Sequence, residues 1–327
     1  MKILWTHNFD PNVKNSGSFM HILAQGMRDL GVELDLCYLG NLRSVSNIFR
    51  AYCHIKKYAV GFDVVHSQFG SACAMATSGA ENVPKVLSLR GSDWYRFKEH
   101  LGFHSIHGLM ASVMTRLVVT KYNAVVTMSH RMSSDILTEY PDLAVSIIPS
   151  PVNLNHFQPV IRDVARAKLG FPGNTEKWVL FTTMSTSNPI KRVALAQEAV
   201  KLANEQMGDV KLRVATGIDH SDMPLFVSAC DLALCTSVHE GWPNCIKEAL
   251  ACNLPFVATD VSDLSMIAAK SPSCRTCLPD PAILADNICD VLSTPSPENL
   301  RRHVAEMDIP IISQKLLSLY DNIISSK

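Results

Sequence analysis

Short apolar runs alternate with longer amphipathic stretches from one end of the chain to the other. Lys2–Trp5, Val32–Tyr38, Asp63–His66, Lys85–Leu89 and Ala124–Met128 are aliphatic or β-branched runs closed by polar residues or glycine, the pattern of buried strands. Ser18–Leu30 repeats its apolar positions at helical spacing and stops before Gly31, which suits the position just past a helix end. The proline- and asparagine-rich stretch Ile147–Pro159 reads as a linker. The alternation then restarts. Trp178–Thr182, Lys211–Ala215, Asp231–Cys235 and Pro255–Ala258 read as strands, with Val193–Glu205 and Pro243–Ala251 as helices, and Ile311–Ile324 closes the chain with helical periodicity. Strands alternating with helices predict parallel α/β units. The linker near the middle predicts two doubly wound, Rossmann-like domains rather than one eight-unit barrel. The expected boundaries are 1–155, 156–310 and a terminal helix, 311–327, crossing back to the first domain. Parallel sheets bind ligands beyond the carboxyl ends of their strands, so two such domains are expected to face a central cleft lined by those ends.

Composition narrows the function. With 327 residues, 47% apolar and 18% charged, the chain can bury two cores and is not of disordered type. Its formal net charge of zero gives no global attraction to nucleic acid, which is not expected as a partner. No apolar run reaches the roughly 20 residues of a spanning helix, and the short apolar start lacks a signal-peptide core, so a cytoplasmic protein is expected. The ten cysteines are scattered, several within apolar runs (Cys37, Cys230, Cys235, Cys252), and read as buried free thiols. Cys274 and Cys277 form a lone C-x-x-C, weak evidence for metal. No histidine-carboxylate cluster or D-x-D pattern points to a metal site, and no cofactor is implied.

The chemistry concentrates in His239-Glu240-Gly241-Trp242-Pro243-Asn244-Cys245-Ile246-Lys247-Glu248. Glu240 follows an apolar strand, Gly241 permits a tight turn, and Pro243 suits the first helical position. The amides of Asn244, Cys245 and Ile246 would then face out of a helix N-terminus, a natural phosphate site. Glu248, further along the helix, could accept two hydroxyl hydrogens as a ribose clamp. An ordinary capped helix with a solvated glutamate is the competing reading. Lys191, in the loop Ser187-Asn188-Pro189-Ile190-Lys191-Arg192, is a cation placed before a helix, with Arg192 beside it. His66, at a strand end, reads equally as a ligand for hydroxyls or as a structural histidine. Asn41–Tyr58 places Leu42, Val45, Ile48, Phe49, Tyr52 and Ile55 on one stripe, with Arg43, Arg50, Lys56 and Lys57 around it. It reads as a core-facing helix with a basic outer face, or as an interfacial surface that would hold the protein at the inner face of a membrane.

The segment from Glu240 through Glu248 and on to Asp263 resembles the E-x7-E region of glycosyltransferase family 4, whose members are retaining enzymes of the GT-B fold. Ser16-Gly17-Ser18, Asp63–His66, Arg90-Gly91-Ser92-Asp93, Val126–Ser129 and Ile148–Asn153 resemble that family's glycine-rich turn, strand-end motifs and linker. The resemblance implies that Glu240 contacts the transferred sugar, that Glu248 binds the nucleotide ribose, and that Gly17 and Ser18 lie near the donor phosphates. It also implies that Gly241, Trp242, Asn244, Cys245, Ile246 and Arg192 complete the donor site, with Lys191 as the cation for the diphosphate. His66 would then stand with Glu240 and Lys191 as a catalytic candidate, and Arg90, Gly91 and Asp93 would belong to the acceptor side, in the first domain. The implied reaction is metal-independent transfer from a nucleoside-diphosphate sugar, a UDP-sugar by the resemblance, to a carbohydrate or lipid-linked hydroxyl with retention, in polysaccharide or glycolipid synthesis. Two departures stand out. The family's upstream arginine is missing from Thr183-Met184-Ser185-Thr186, and Arg90 replaces the histidine before Gly91. They keep a non-catalytic nucleotide-binding partner in view; a sugar-nucleotide epimerase on the same architecture is the other alternative.

Overall fold

The computed structural model describes residues 1–13, 16–96, 103–294 and 298–326. The chain divides into two compact units, Met1–Pro151 joined by Ile309–Lys327, and Val152–Asp308.

The first unit runs β1 (Lys2–His7), α1 (Ser18–Asp29), β2 (Glu33–Tyr38), α2 (Val45–Tyr58), β3 (Val64–Ser67), α3 (Ser71–Thr77), β4 (Lys85–Ser88), α4 (Phe103–Val118), β5 (Ala124–Thr127), α5 (His130–Glu139) and β6 (Val145–Ile147). Its six strands are ordered β2-β1-β3-β4-β5-β6, all parallel. The inner strands β3, β4 and β5 are buried at every position, as strands covered on both faces must be, which is why each carries consecutive apolar residues, Val64-Val65, Val86-Leu87 and Ala124–Val126. Ile147, expected in the linker, instead closes the edge strand β6.

The second unit runs α6 (Arg162–Lys168), β7 (Lys177–Thr182), α7 (Val193–Met207), β8 (Val210–Ala215), α8 (Met223–Ser228), β9 (Leu232–Cys235), α9 (Asn244–Ala251), β10 (Phe256–Thr259), α10 (Leu264–Ala268), β11 (Arg275–Cys277) and α11 (Pro281–Ser293). Its five strands are ordered β11-β10-β9-β7-β8, again all parallel. α7 and α11 pack together over Val179, Phe181, Leu232, Leu234 and Val257 to make its main core. Arg166, from α6, is almost fully buried. It donates to the Ala229 and Asn174 carbonyls and to Asp231 Oδ2 at 2.7 Å, and it lies 4.5 Å from the Trp178 ring. Buried charge is tolerable when paired in this way.

The last helix, α12 (Ile309–Ser325), packs on α1 in the first unit. Gly26 makes the approach possible: a Cβ there would meet Ser313 Oγ and come within 2.7 Å of Ile309 Cγ2. From α12, Tyr320 enters the core. Its hydroxyl accepts from Trp5 Nε1 at 2.9 Å and meets His66 Nδ1 at 2.5 Å, while His66 Nε2 meets Ser88 Oγ at 2.8 Å.

The α2 stripe splits in two. Ile48, Ala51 and Ile55 face the core, but Val45 and Phe49 are 81% and 66% exposed. At 100° per residue, Val45 and Phe49 sit roughly a quarter-turn away from the buried face, so the single core-facing stripe is corrected. Among the described residues, no helix is long and apolar enough to cross a membrane.

Candidate functional site

In the second unit the site grows from the loop between β9 and α9. β9 ends at Cys235, and the chain crosses to α9 through Thr236–Pro243. Glu240 Oε1 receives the Lys191 ammonium at 2.5 Å and the Ser237 hydroxyl at 2.8 Å. Both charged side chains keep limited solvent access, 24% for Lys191 and 18% for Glu240, so the ion pair is neither free nor sealed. Burial works against the lysine charge. The Glu240 carboxylate and the nearby Cys245 and Cys235 outweigh it and push Lys191 upward, so it stays protonated through the neutral range.

Lys191 ends a short 3-10 turn, Pro189–Lys191, capped by the Asn188 side chain accepting from the Ile190 amide. The two loops are stitched together. Arg192 donates to the Thr236 carbonyl at 2.6 Å and to the Ser237 carbonyl at 2.8 Å. Thr236 Oγ1 donates to the Lys191 carbonyl at 2.6 Å, and the Val238 amide to the Ile190 carbonyl at 2.9 Å. The resemblance places Arg192 in the donor site. Its guanidinium staples the two loops together, and its backbone is held at φ 50° in the left-handed region. Arg192→Ala is therefore expected to strip charged donors from two carbonyls and cost about 1.5–3 kcal/mol of stability, read by denaturant unfolding. Unchanged stability would show that the staple is dispensable.

α9 begins one residue later than its sequence suggests. Pro243 has extended ψ and occupies the cap, and its carbonyl accepts from the amides of both Ile246 (3.1 Å) and Lys247 (3.2 Å). The Ile246 amide is thus used within the helix and is withdrawn from the phosphate set. The Asn244 and Cys245 amides have no backbone acceptor among the described residues. Gly241 and Trp242 contribute shape. The Gly241 carbonyl accepts from Ser262 Oγ at 2.7 Å, and the Trp242 ring is 6% exposed, with Lys247 Nζ 5.7 Å from its centroid. Trp242 is a packing residue, not an exposed platform.

Glu248 lies on the same helix, half-buried. No hydrogen bond to its carboxylate is present among the described residues, and burial raises it from its ordinary 4.5 to about 7, against a modest pull from Lys247. A carboxylate held in that state is set up to accept hydrogens it does not yet have.

The first-unit candidates are described on their own. Gly17 caps α1 at φ 70°, where a Cβ would also come within 2.9 Å of Phe9. Its carbonyl takes the Met20 and His21 amides, leaving those of Ser18 and Phe19 as the outermost. Asp93 is fully buried and accepts from the Gly70, Arg90 and Gly91 amides at 2.8–3.1 Å. Burial raises its carboxyl while those amides lower it. Asp93 builds the loop rather than meeting an acceptor, and Gly91, at φ 116°, permits the turn. Arg90 donates to Gln68 Oε1 at 3.0 Å and Ser150 Oγ at 2.7 Å and stacks 4.5 Å from the Phe19 ring. Burial lowers it to about 10.

For His66 the surroundings favour the structural of its two readings. It is 1% exposed, both ring nitrogens have partners, and burial followed by the nearby Arg90 pushes it well below 6.5. It is a neutral structural histidine, and its partner Tyr320 lies 254 residues on, beyond the reach of any local pattern.

Two residues near these strand ends carry little signal in the sequence. Ser237 ties Glu240 to the β9 loop, and its only mark is a Thr-Ser pair after a strand. His7 ends β1 with Nδ1 buried and without a hydrogen-bond partner among the described residues, and burial, then His21, lowers it to about 4. Cys274 is buried, Cys277 is half-buried on β11, and both are free thiols. Among the described residues, no three His, Cys, Asp or Glu side chains gather to hold a metal ion.

The chain is similar to several known proteins. Residues 195–294, which contain the Glu240–Glu248 segment, match the family model described as Glycosyl transferases group 1. The chain is 24% identical over 225 residues to a putative teichuronic acid biosynthesis glycosyltransferase, TuaC, of Bacillus subtilis (strain 168). That match covers 64% of this chain and only 56% of the relative's length. Among solved structures it is similar to sucrose-phosphate synthase of Thermosynechococcus elongatus, with a TM-score of 0.82 and 17% identity over the whole of both chains. It is also similar to Anabaena HepE in complex with UDP and glucose, with a TM-score of 0.72 and 15% identity over 98% of this chain and 100% of that one. At such identities the likeness speaks for architecture: this chain has the GT-B fold, two parallel-sheet α/β domains of Rossmann type.

Proposed function

We propose that the protein is a retaining glycosyltransferase of the family 4 type, moving a sugar from a nucleoside-diphosphate sugar to an acceptor hydroxyl in polysaccharide or glycolipid synthesis. One arrangement carries the reading: the Lys191–Glu240 pair beside the outward amides of Asn244 and Cys245, with the unpartnered Glu248 carboxylate on the same helix. Diphosphate oxygens suit the ammonium and the amides, and ribose hydroxyls suit Glu248. The transferred sugar then lies toward Glu240. A cation fixed before the reaction stabilises the departing diphosphate without reorganising, the role a divalent metal plays elsewhere. The match over residues 195–294 supports this reading, as does HepE, solved with UDP and glucose.

The first unit would recognise the acceptor, through the α1 N-terminus and the loop carrying Arg90. The exposed Val45 and Phe49, with Arg50 nearby on α2, suit a peripheral membrane contact in the manner of an interfacial helix.

Incubation with a panel of UDP-sugars, with and without acceptor extract and in excess EDTA, tests the proposal. Transfer releases UDP, depends on acceptor, and is expected to persist in EDTA. A new sugar nucleotide formed without acceptor would instead mean epimerisation. Binding without turnover would mean a partner subunit. Activity lost in EDTA and restored by manganese would place a metal where Lys191 is assigned.

A further inference from the structure

We propose that His7 and Gln68, side by side at the carboxyl ends of β1 and β3, form a site that reads a hydroxyl of a carbohydrate acceptor. That the ligand is an acceptor rests on the transfer reading above; the hydroxyl site itself does not.

The two residues are neighbours by register. β1 and β3 run parallel, with Trp5 opposite His66 and Thr6 opposite Ser67. The Gln68 amide donates to the Thr6 carbonyl at 2.9 Å, so the next pair along is His7 and Gln68. Side chains alternate across a sheet. Thr6 Oγ1 meets Thr77 Oγ1, and Ser67 Oγ meets Cys73 Sγ, both partners lying on α3. His7 and Gln68 therefore fall on the other face, where Trp5 and His66 meet Tyr320 of α12. There the His7 ring lies 6.3 Å from that of His21 on α1.

Each residue carries a buried polar atom that the protein does not satisfy. His7 is 5% exposed and Gln68 is fully buried. Neither His7 Nδ1 nor Gln68 Nε2 has a hydrogen-bond partner among the described residues. The Gln68 amide cannot turn over to mend this. Its Oε1 accepts from Arg90 Nη2 at 3.0 Å, which fixes Nε2 as the unmet donor. One such atom costs free energy, and two at neighbouring strand ends point to a shared ligand group. Open parallel sheets take their ligands at these carboxyl ends.

The chemistry of the pair selects that group. Gln68 Nε2 only donates, which excludes an ammonium. Neither side chain brings a charge for an anion. The amide is neutral, and burial, then His21, lowers His7 to about 4 against an upward pull from the Phe9 backbone. A neutral imidazole offers Nδ1 as acceptor or as donor, according to its tautomer. A hydroxyl serves both residues, accepting from Gln68 and taking either role with His7. Half-buried rings surround the pair. Phe9 stacks on His7 at 6.0 Å, and Phe19 and Phe69 stand 5.3 and 6.2 Å from Phe9. Aromatic walls with a few convergent polar groups suit a pyranose, which has carbon–hydrogen faces and a rim of hydroxyls.

The test follows binding of methyl glycosides to the full-length chain by saturation-transfer NMR, with UDP titrated separately. The panel is the glucoside, galactoside, mannoside, N-acetylglucosaminide and glucuronide, and at least one is expected to bind. His7→Phe keeps a stacking ring but loses Nδ1. Gln68→Glu keeps an oxygen for Arg90 but loses the donor. Each should weaken the bound glycoside by about two- to tenfold, the size of one neutral hydrogen bond, and leave UDP affinity unchanged. With a UDP-sugar that is transferred, each should raise KM for the glycoside more than it lowers kcat. His7→Phe should unfold at the same denaturant concentration as the parent or higher, since it removes an unmet buried nitrogen. A parent that binds no glycoside, or variants that bind it as the parent does, would overturn the site. Inorganic phosphate binding at the pair in place of glycosides would overturn the hydroxyl assignment. Lower stability of His7→Phe with unchanged glycoside binding would show that the pair is completed by a structural water. A parallel loss of UDP affinity would overturn the acceptor assignment. A chain that binds glycosides at this pair and transfers no sugar would remove the transfer reading and leave the site standing.

Discussion

Lys191→Ala is expected to cut turnover about 10²–10³-fold, the usual size for losing one preorganised electrostatic stabiliser. The lysine starts the reaction bound to Glu240 at 2.5 Å, so its charge is already placed and partly desolvated. As the glycosidic bond breaks, negative charge grows on the diphosphate. The ammonium, with three donors, can serve that charge without leaving Glu240. The interaction strengthens toward the transition state, so its loss should appear in turnover more than in nucleotide affinity. Lys191→Arg should recover only part, because a planar fork does not replace a compact charge. UDP release from a UDP-sugar under saturating donor is the measurement. Turnover within about threefold of the parent would dismiss Lys191 from the chemistry, since a charge that stabilises the departing group is worth about a hundredfold or more.

Glu248→Gln is expected to stabilise the empty protein while weakening its hold on nucleotide. Glu248 titrates near 7 when folded, against an ordinary 4.5. Between those values the folded chain keeps a proton that the unfolded chain has released, so stability falls as pH rises across that window. Above 7 the full penalty of about 3 kcal/mol is in force. The amide carries no charge, so the variant should gain as much as about 3 kcal/mol near pH 8 and almost nothing near pH 4, by denaturant unfolding. Its nucleotide affinity should fall by about 1.5–3 kcal/mol in calorimetric titration. In the parent, affinity should weaken as pH drops below 7, because the ribose clamp must be ionised to accept two hydroxyls. A variant with unchanged affinity, or no pH-dependent gain in stability, would take Glu248 out of the site.

The fold is legible in the sequence because its inner strands are buried on both faces, which favours consecutive apolar residues such as Val64-Val65 and Ala124–Val126. The short edge strands Val145–Ile147 and Arg275–Cys277 are only half-buried, so nothing forces such a run on them. Within the site, Lys191, Glu240 and Glu248 can be singled out because each chemistry-bearing residue sits beside a strand end or helix start that local pattern reveals. The partners of neighbouring residues cannot. Arg192 is tied to carbonyls 44 and 45 residues away, and backbone acceptors leave no mark on sequence. His66 looks available from its strand-end position, and only the fold brings Tyr320 to claim it. The Ile246 amide is lost by a one-residue shift in where α9 begins, a boundary that proline at a cap or at the first turn satisfies equally well.

The placement of α12 also sets an order of assembly. The first unit is interrupted in sequence: the second unit, Val152–Asp308, is inserted between its sheet and its last helix. On the ribosome, every strand of the first sheet is made before Tyr320, whose hydroxyl serves Trp5 and His66 inside that sheet's core. At about 5–20 residues per second, roughly 10–30 s separate the end of the first sheet from that hydroxyl. During that interval the Trp5 and His66 nitrogens lack their permanent partner, and the surface of α1 around Gly26 has no helix against it. The nascent sheet must wait, incomplete, while the inserted unit is free to fold first, so the part of the protein made earliest is the part finished last.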